Sequence, residues 1–499
     1  MSSTVSSPAS TRPIIRRASD VSNLVNNGAV QGADARIVVA IALGGVFLDA
    51  YDLGALAFGV KDISREFSLT PAGVGAVTSA ITFGAVIGAF IGGYLTDRIG
   101  RYRVFMADML FFVVAAIVCA FAPNAWVLGG ARFVMGLGVG IDLPVAMAFL
   151  AEFSRLRGPG NKASRVAMWC PVWYAAISVS YLLVLAGFTF LPAEHSNLLW
   201  RLTLGFGAVP AIVIIAVRSR YMGESPVWSA NQGDLEGAAR ILKKSYGIDA
   251  IVAPQASLDS GSAQTEKRPL RVRWSSYGTL FQGVYRRRTI LHAVMGFASS
   301  FAYNAVAFGL PVIIATFLAQ GVLSTILASL VLNLCFAFVG GLLAVKYVPK
   351  WGAWPMTVIG YTFQFVALLV LAIIGRPGTG TEIVISLGML ALFLFGQGMG
   401  PGSHTMTYAS LSYPTSIRGM GVGLHQTATR VASTISLFLF PVLAHALGTK
   451  VFWVIAIAPF IGLTTLLLLR WEPSNYDVDA EDFTSEGPGK VTLGAVRTA

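Results

Sequence analysis

Apolar residues fall in blocks of roughly 20 along nearly the whole chain, separated by short polar breaks. A helix needs about that many residues to cross ~30 Å of hydrocarbon. The pattern predicts twelve such helices, at roughly 36–60, 72–95, 104–122, 126–153, 165–190, 200–221, 289–319, 323–346, 353–374, 383–408, 419–447 and 449–470. The longest break, residues 222–288, divides six from six. Inside it "DLEGAARILKKSY" (234–246) places Ala and Leu on one face, which predicts a short amphipathic helix. Residues 1–35, rich in Ser, Asn and Arg, read as a disordered cytosolic tail rather than a cleavable signal. The expected organisation is a tail (1–35), a six-helix bundle (36–221), a cytosolic loop (222–288), a second six-helix bundle (289–470) and a C-terminal tail (471–499).

Composition excludes the soluble alternatives. The chain is 55% hydrophobic and only 12% charged, whereas charged residues make up about a quarter of an ordinary globular chain. The net charge of +12 could suggest a nucleic-acid partner. Its distribution does not: with the N-terminus in the cytosol, 29 of the 36 Lys and Arg lie in cytosolic segments and five on the outer side. That asymmetry places both termini inside and fits a multi-pass protein of the cell membrane. The basic runs "KRPLRVRW" and "YRRRT" near the end of the central loop then sit beside anionic headgroups. Cys119, Cys170 and Cys335 lie in apolar blocks without metal-like spacing and read as packing residues.

The break in the middle suggests an internal repeat. "GLGVGIDLPVAMAFLAEFSRLRG" (136–158) aligns with "GQGMGPGSHTMTYASLSYPTSIRG" (396–419) with one inserted residue. Span 4 thus corresponds to span 10, the fourth of the second half. A parallel 6 + 6 repeat resembles the major facilitator superfamily, which implies an all-helical membrane fold with the substrate path between the halves near the midplane.

The loop "GGYLTDRIGRYR" (92–103) resembles the signature loop of that superfamily between spans 2 and 3. The resemblance implies a gating set of Gly93, Asp97, Arg98, Gly100 and Arg101, with Asp97 holding the inner ends of the bundles together. The equivalent loop of the second half has Val345 in place of the aspartate, so the latch is one-sided. "RFVMGLGVG", "GESPVW" and "YPTSIRGMGVG" resemble motifs of the sugar-porter-like branch. "FLDAYDL" and "GIDLP" point, within it, to metabolite and phosphate:proton symporters. Span 7 lacks the carboxylates expected of a phosphate carrier, and its "YNAVAFGLP" looks more like carriers of small organic acids.

Charges inside the spans carry the chemistry, because ionisable groups at that depth are functional by default. At ~1.5 Å of rise per residue, Asp49 falls near the bilayer middle and Asp52 a turn further out. Arg132, on a helix running the other way, reaches a depth similar to Asp52. The resemblance implies the same pairing, that of the span-1 aspartate and span-4 arginine of proton-coupled sugar porters. Asp49 and Asp52 share a helix face, and two carboxylates that close do not both ionise readily, which favours holding a proton. Asp142, beside Pro144, is the next proton-coupling candidate, with a structural hydrogen bond as its alternative. Asp108 and Glu152 lie nearer the cytosolic ends, where gate pairs with Arg98, Arg155 or Arg157 are expected; Arg418 is the counterpart of Arg157. The second half has no intramembrane acid and offers Arg430, His425, Gln426, His404, Gln397, Tyr303 and Asn304. An unpaired Arg430 opposite the carboxylate-bearing half fits an anionic substrate; the alternative is a pair across the interface. Trp173, on span 5 beside Trp169 and Tyr174, can add an aromatic wall.

These residues predict a secondary active transporter, working as a monomer in the bilayer, that takes up a small anionic organic metabolite with protons. No catalytic triad, metal cluster, nucleotide loop or cofactor motif is legible, so no enzyme activity is expected. A sugar, polyol or phosphate symporter, an efflux pump, and a transporter-like sensor signalling through the central loop are the alternatives.

Overall fold

The computed structural model describes residues 12–17, 20, 21, 24, 33–99, 101–153, 163, 164, 166–192, 198–221, 224, 226–231, 233–253, 274–413, 417–474, 476 and 478. Twelve membrane-length helical segments are found among them. In the first half they are Ala33–Glu66, Pro71–Ile99, Arg101–Ala120, Ala125–Phe153, Trp169–Phe190 and Leu199–Tyr221, with a break at Gly207 in the last. The second half holds Gly283–Phe317, Val322–Trp351, Ala353–Ile374, Gly380–Leu411, Arg418–Leu447 and Val451–Leu468. By length and composition alone the stretch Arg418–Leu468 counts as a single span of 51 residues, making eleven. At 1.5 Å per residue that would be more than twice the bilayer thickness. Gly448, at φ +56°, turns the chain inside it and makes two spans.

The glycines of the repeat explain how tightly each bundle closes. A Cβ on Gly136 or Gly140 would fall 2.0 or 2.2 Å from carbonyl oxygens of span 2, and one on Gly138 would fall 2.7 Å from a carbonyl of span 3. In the second half Gly398 meets span 8 at Ala337, while Gly396 and Gly400 meet span 9 at Gly360. The face turned to the second span of each bundle therefore starts at Gly136 in one half and Gly398 in the other. The one-residue alignment of the two segments is displaced by two residues in space.

Spans 7 and 8 depart from regular helix. Span 7 widens into π-helical turns at Asn304–Phe308 and Ile313–Phe317, on either side of the short segment Leu310–Val312 that holds Pro311. Pro311 cannot donate to the turn before it, so the ladder must re-register there. Span 8 has one such stretch, Leu332–Phe338.

The amphipathic helix of the central loop is present as Leu235–Tyr246, capped by the Asp234 carboxylate on the Gly237 amide and closed by Gly247 in the left-handed region. The tail, expected to be disordered throughout, contributes a strand instead. β1 (Ile14–Ile15) pairs in parallel with β2 (Ile251–Val252), the Ile251 and Ala253 amides donating to the Pro13 and Ile15 carbonyls at 2.9 and 3.0 Å. Ile15 and Val21 are wholly buried against Ala230, Ala238 and Leu242. Asp249 pairs with Arg12 at 3.3 Å and Lys243 at 3.0 Å, and the Lys243 hydrogen bond holds its carboxyl below the usual range.

Candidate functional site

The two halves meet along spans 2 and 11 and along spans 5 and 8. Thr78 donates to the Leu437 carbonyl at 3.1 Å and Thr434 to the Thr82 hydroxyl at 3.1 Å. On the side of the membrane where the central loop emerges, Ser164 donates to the Val345 carbonyl at 2.8 Å, and Cys170 to that of Gly398 at 3.8 Å. Toward the opposite side the halves enclose a cavity of about 480 Å³ between spans 1, 2, 7 and 11, with spans 2 and 11 still touching: a Cβ on Gly75 would fall 2.3 Å from the Phe438 carbonyl. Ser64, Leu69, Thr316 and His445 stand at its mouth, and Leu53, Thr78, Asn304 and Leu437 at its inner end.

Beneath that inner end lies an ion pair joining the halves. Asp49 is one helical turn below Leu53, and Arg430 about two turns below Leu437. The Arg430 Nη2 sits 2.6 Å from the Asp49 carboxylate, both side chains less than a tenth exposed. The unpaired Arg430 expected from sequence is corrected here: in this conformation it spans the interface to Asp49. Asp49 Oδ1 is buried without a hydrogen-bond partner.

Asp52 does not compete with Asp49 for one site. It pairs with Arg132 at 3.0 Å inside the first bundle, with both groups buried. The expectation from depth holds for this pair. Asp49 and Asp52 lie a turn apart on one helix, and each has its own arginine.

A third charged group lies toward the central-loop side. Arg218 of span 6, fully buried, reaches Asp142 of span 4 at 2.7 Å, Asp108 of span 3 at 3.2 Å and the Phe105 carbonyl at 2.7 Å. Its guanidinium lies 3.4 Å from the centre of the Phe105 ring. Gly45 makes room for this group, since a Cβ there would fall 1.6 Å from Asp142 Oδ2. Gly45 is one turn below Asp49, so the triad abuts span 1 just under the cross-bundle pair. Asp108 is held by Arg218, while its expected gate partners Arg98, Arg155 and Arg157 fall outside the described residues in whole or in their side chains. Arg218 was missed in the sequence because it stands with Arg220 at the end of a span, where a basic residue reads as an orientation signal. Its depth, a turn inside that end and level with Asp108, was the signal available.

The expected substrate contacts are mostly engaged with neighbouring residues of the protein. Trp173 donates to the Tyr303 hydroxyl across the halves at 2.8 Å. Asn304 donates to Ser433 at 2.9 Å and to the Ser300 carbonyl at 2.7 Å. Gln397 bonds Ser299 at 3.1 Å and accepts from Gln364. His425 meets the His292 carbonyl at 2.9 Å, and Gln426 approaches the Met406 sulfur at 3.0 Å. Neither ring nitrogen of His404 has a hydrogen-bond partner. Gln397, His425 and Gln426 belong to the second bundle's interior rather than the cavity wall; of the set, only Asn304 lines the cavity.

Of the gating set, Arg418 opens span 11, its Nε donating to the Tyr413 carbonyl at 3.2 Å. Gly100, Arg155 and Arg157 lie outside the described residues, as do the side chains of Gly93, Asp97, Arg98, Arg101 and Glu152. No group of three His, Cys, Asp or Glu able to hold a metal occurs among the described residues.

Two helical bundles with a cavity between them and paired charges at mid-depth define a multi-pass membrane transporter, not an enzyme. The chain belongs to the sugar (and other) transporter family, which matches residues 37–470. It is similar to the glucose transporter GlcP of Staphylococcus epidermidis, at 26% identity over 89% of this chain and 95% of that protein. It is also similar to the niacin transporter NiaP of Acinetobacter baylyi, at 26% identity over 77% of this chain and 81% of that one. Among solved structures it shares the fold of the major facilitator proton:xylose symporter XylE bound to 6-bromo-6-deoxy-D-glucose. The TM-score is 0.70 at 18% identity, over 89% of this chain and 98% of that one.

Proposed function

We propose that the protein takes up a small organic anion together with protons, by rocking of its two bundles about the central site. The observation that carries this is the Asp49–Arg430 pair across the halves, a turn or two beneath the inner end of the cavity. A proton delivered through the cavity to Asp49 neutralises it and leaves Arg430 without its counter-ion. A substrate carboxylate then takes the vacated position. The site is neutral before and after, so one anion enters with one proton. The pair also ties the bundles together, so its exchange for substrate couples loading to their movement.

Asp52 with Arg132, and Asp142 with Asp108 and Arg218, extend the proton path in this reading. The triad sets two carboxylates against one guanidinium, and a proton on one carboxylate balances it. Trp173, Tyr303 and Asn304 face the halves' interface and close on substrate. Gln397, His425 and Gln426 would contact it only after repacking. The signature-loop set, with Glu152, Arg157 and Arg418, gates the cytosolic side, and the Lys and Arg distribution supports both termini lying there.

A neutral sugar, the cargo named for the glucose relative, would leave Arg430 unmatched once Asp49 is protonated. A carboxylic acid such as niacin, the cargo named for another relative, would not. The test is uptake into proteoliposomes, corrected for protein-free vesicles, under an imposed proton gradient. Organic acids are expected to accumulate, with Arg430→Ala and Asp49→Asn each lowering the rate at least tenfold. Gradient-driven accumulation of glucose that survives Arg430→Ala would sink the proposal.

A further inference from the structure

The cavity wall narrows the cargo further, an argument that rests on the anion reading above. We infer that the substrate is a monocarboxylate with an apolar body, chain or ring, rather than a polyhydroxylated or doubly charged acid. The wall is built from Leu56, Val60, Val74, Phe308, Leu437 and Phe440 and similar side chains. Of its few polar groups, Thr316 and His445 stand at the mouth, and the others are already committed. Ser64 donates to the Leu69 carbonyl, Thr78 to the Val74 and Leu437 carbonyls, and Asn304 to Ser300 and Ser433.

A sugar or sugar acid entering such a space would give up the hydration of several hydroxyls and find few partners. An apolar body loses nothing by the same transfer and gains contact with the wall. The charge beneath the cavity is equally selective. Arg430 is one guanidinium, balanced by the one carboxylate of Asp49, and the nearby Arg132 is fully buried on Asp52. One carboxylate replaces Asp49 without changing the charge of the site. A second would stand among apolar side chains unless it reached Thr316 or His445 at the mouth.

The experiment is calorimetric titration of the purified full-length protein in detergent with benzoate, hexanoate, gluconate, succinate and glucose. At a pH that protonates the site, benzoate and hexanoate are expected to bind at least tenfold tighter than gluconate or succinate. Leu56→Asn, with Phe308→Ser as a second variant, should weaken benzoate about tenfold while its melting temperature stays near the parent value. Gluconate or succinate binding as well as benzoate, or no binding of either apolar acid, overturns the inference. In the first case the anion reading stands, provided Arg430→Ala abolishes the binding. Tight glucose binding that survives Arg430→Ala overturns both.

Discussion

Asp52 and Arg132 show what one residue can cost this fold. Both are buried, and Arg132 Nε and Nη2 already lack hydrogen-bond partners, so its charge depends on a single contact. Asp52→Asn leaves an uncompensated guanidinium inside the first bundle, a change of about 3–5 kcal/mol for a buried pair. Thermal melting in detergent should show a midpoint many degrees lower, and Asp52→Asn with Arg132→Leu should recover much of the loss. A single variant that melts like the parent would mean that Asp52 is already neutral. This pair was legible in the sequence because two helices running in opposite directions allow depth to be counted from their ends. The Asp49–Arg430 pair was legible only as an alternative. Depth placed both residues near the midplane, but whether an arginine faces a neighbour or a vacancy depends on how the bundles are tilted, which hydropathy does not encode.

At the scale of elements, the bilayer dictates most of what can be read. Its thickness fixes span length, which is why twelve blocks of hydropathy become twelve helical segments to within a few residues. Hydrogen-bond register is different, because a π turn keeps the same apolar composition as the α-helix around it. In span 7 Pro311 was the signal from which a break could have been read, while nothing in span 8 announced Leu332–Phe338. The β1–β2 pairing was illegible for another reason. Two-residue strands carry no periodicity, and the tail's polar composition hid Ile14 and Ile15 among arginines and serines. Ile15 joins the core of the central loop, wholly buried beside Ala238 and Leu242, while Ile14 on the other face is exposed. Ile15→Asp should therefore free the tail, and limited trypsin digestion should cut at Arg16 and Arg17 at least fivefold faster than in the parent protein. Equal cleavage rates would show that the strand adds no protection.

At the scale of the whole molecule, the described residues of the two bundles touch where the central loop emerges, and the cavity lies toward the opposite side. Among the described residues those contacts are close packing and a hydroxyl–carbonyl hydrogen bond rather than ion pairs. Ser164 at the start of span 5 reaches the Val345 carbonyl near the end of span 8, and a Cβ on Gly341 would fall 3.2 Å from the Pro171 nitrogen. Such packing has two discrete arrangements rather than a continuum, because close-packed helix faces separate as units. Rocking must part spans 5 and 8, so a bond between them should stop the cycle while leaving the cavity intact. Cysteines at Ser164 and Val345 place two thiols where the Ser164 hydroxyl already reaches the Val345 carbonyl at 2.8 Å, a separation suited to a disulfide test. Under oxidation, uptake by the double variant should fall below about a tenth of its reduced rate and return with dithiothreitol. Binding of the substrate from the cavity side should persist in the oxidised protein, since the cross-link touches neither Asp49 nor Arg430. Undiminished uptake by fully cross-linked protein would show that substrate leaves by a route other than the interface of spans 5 and 8.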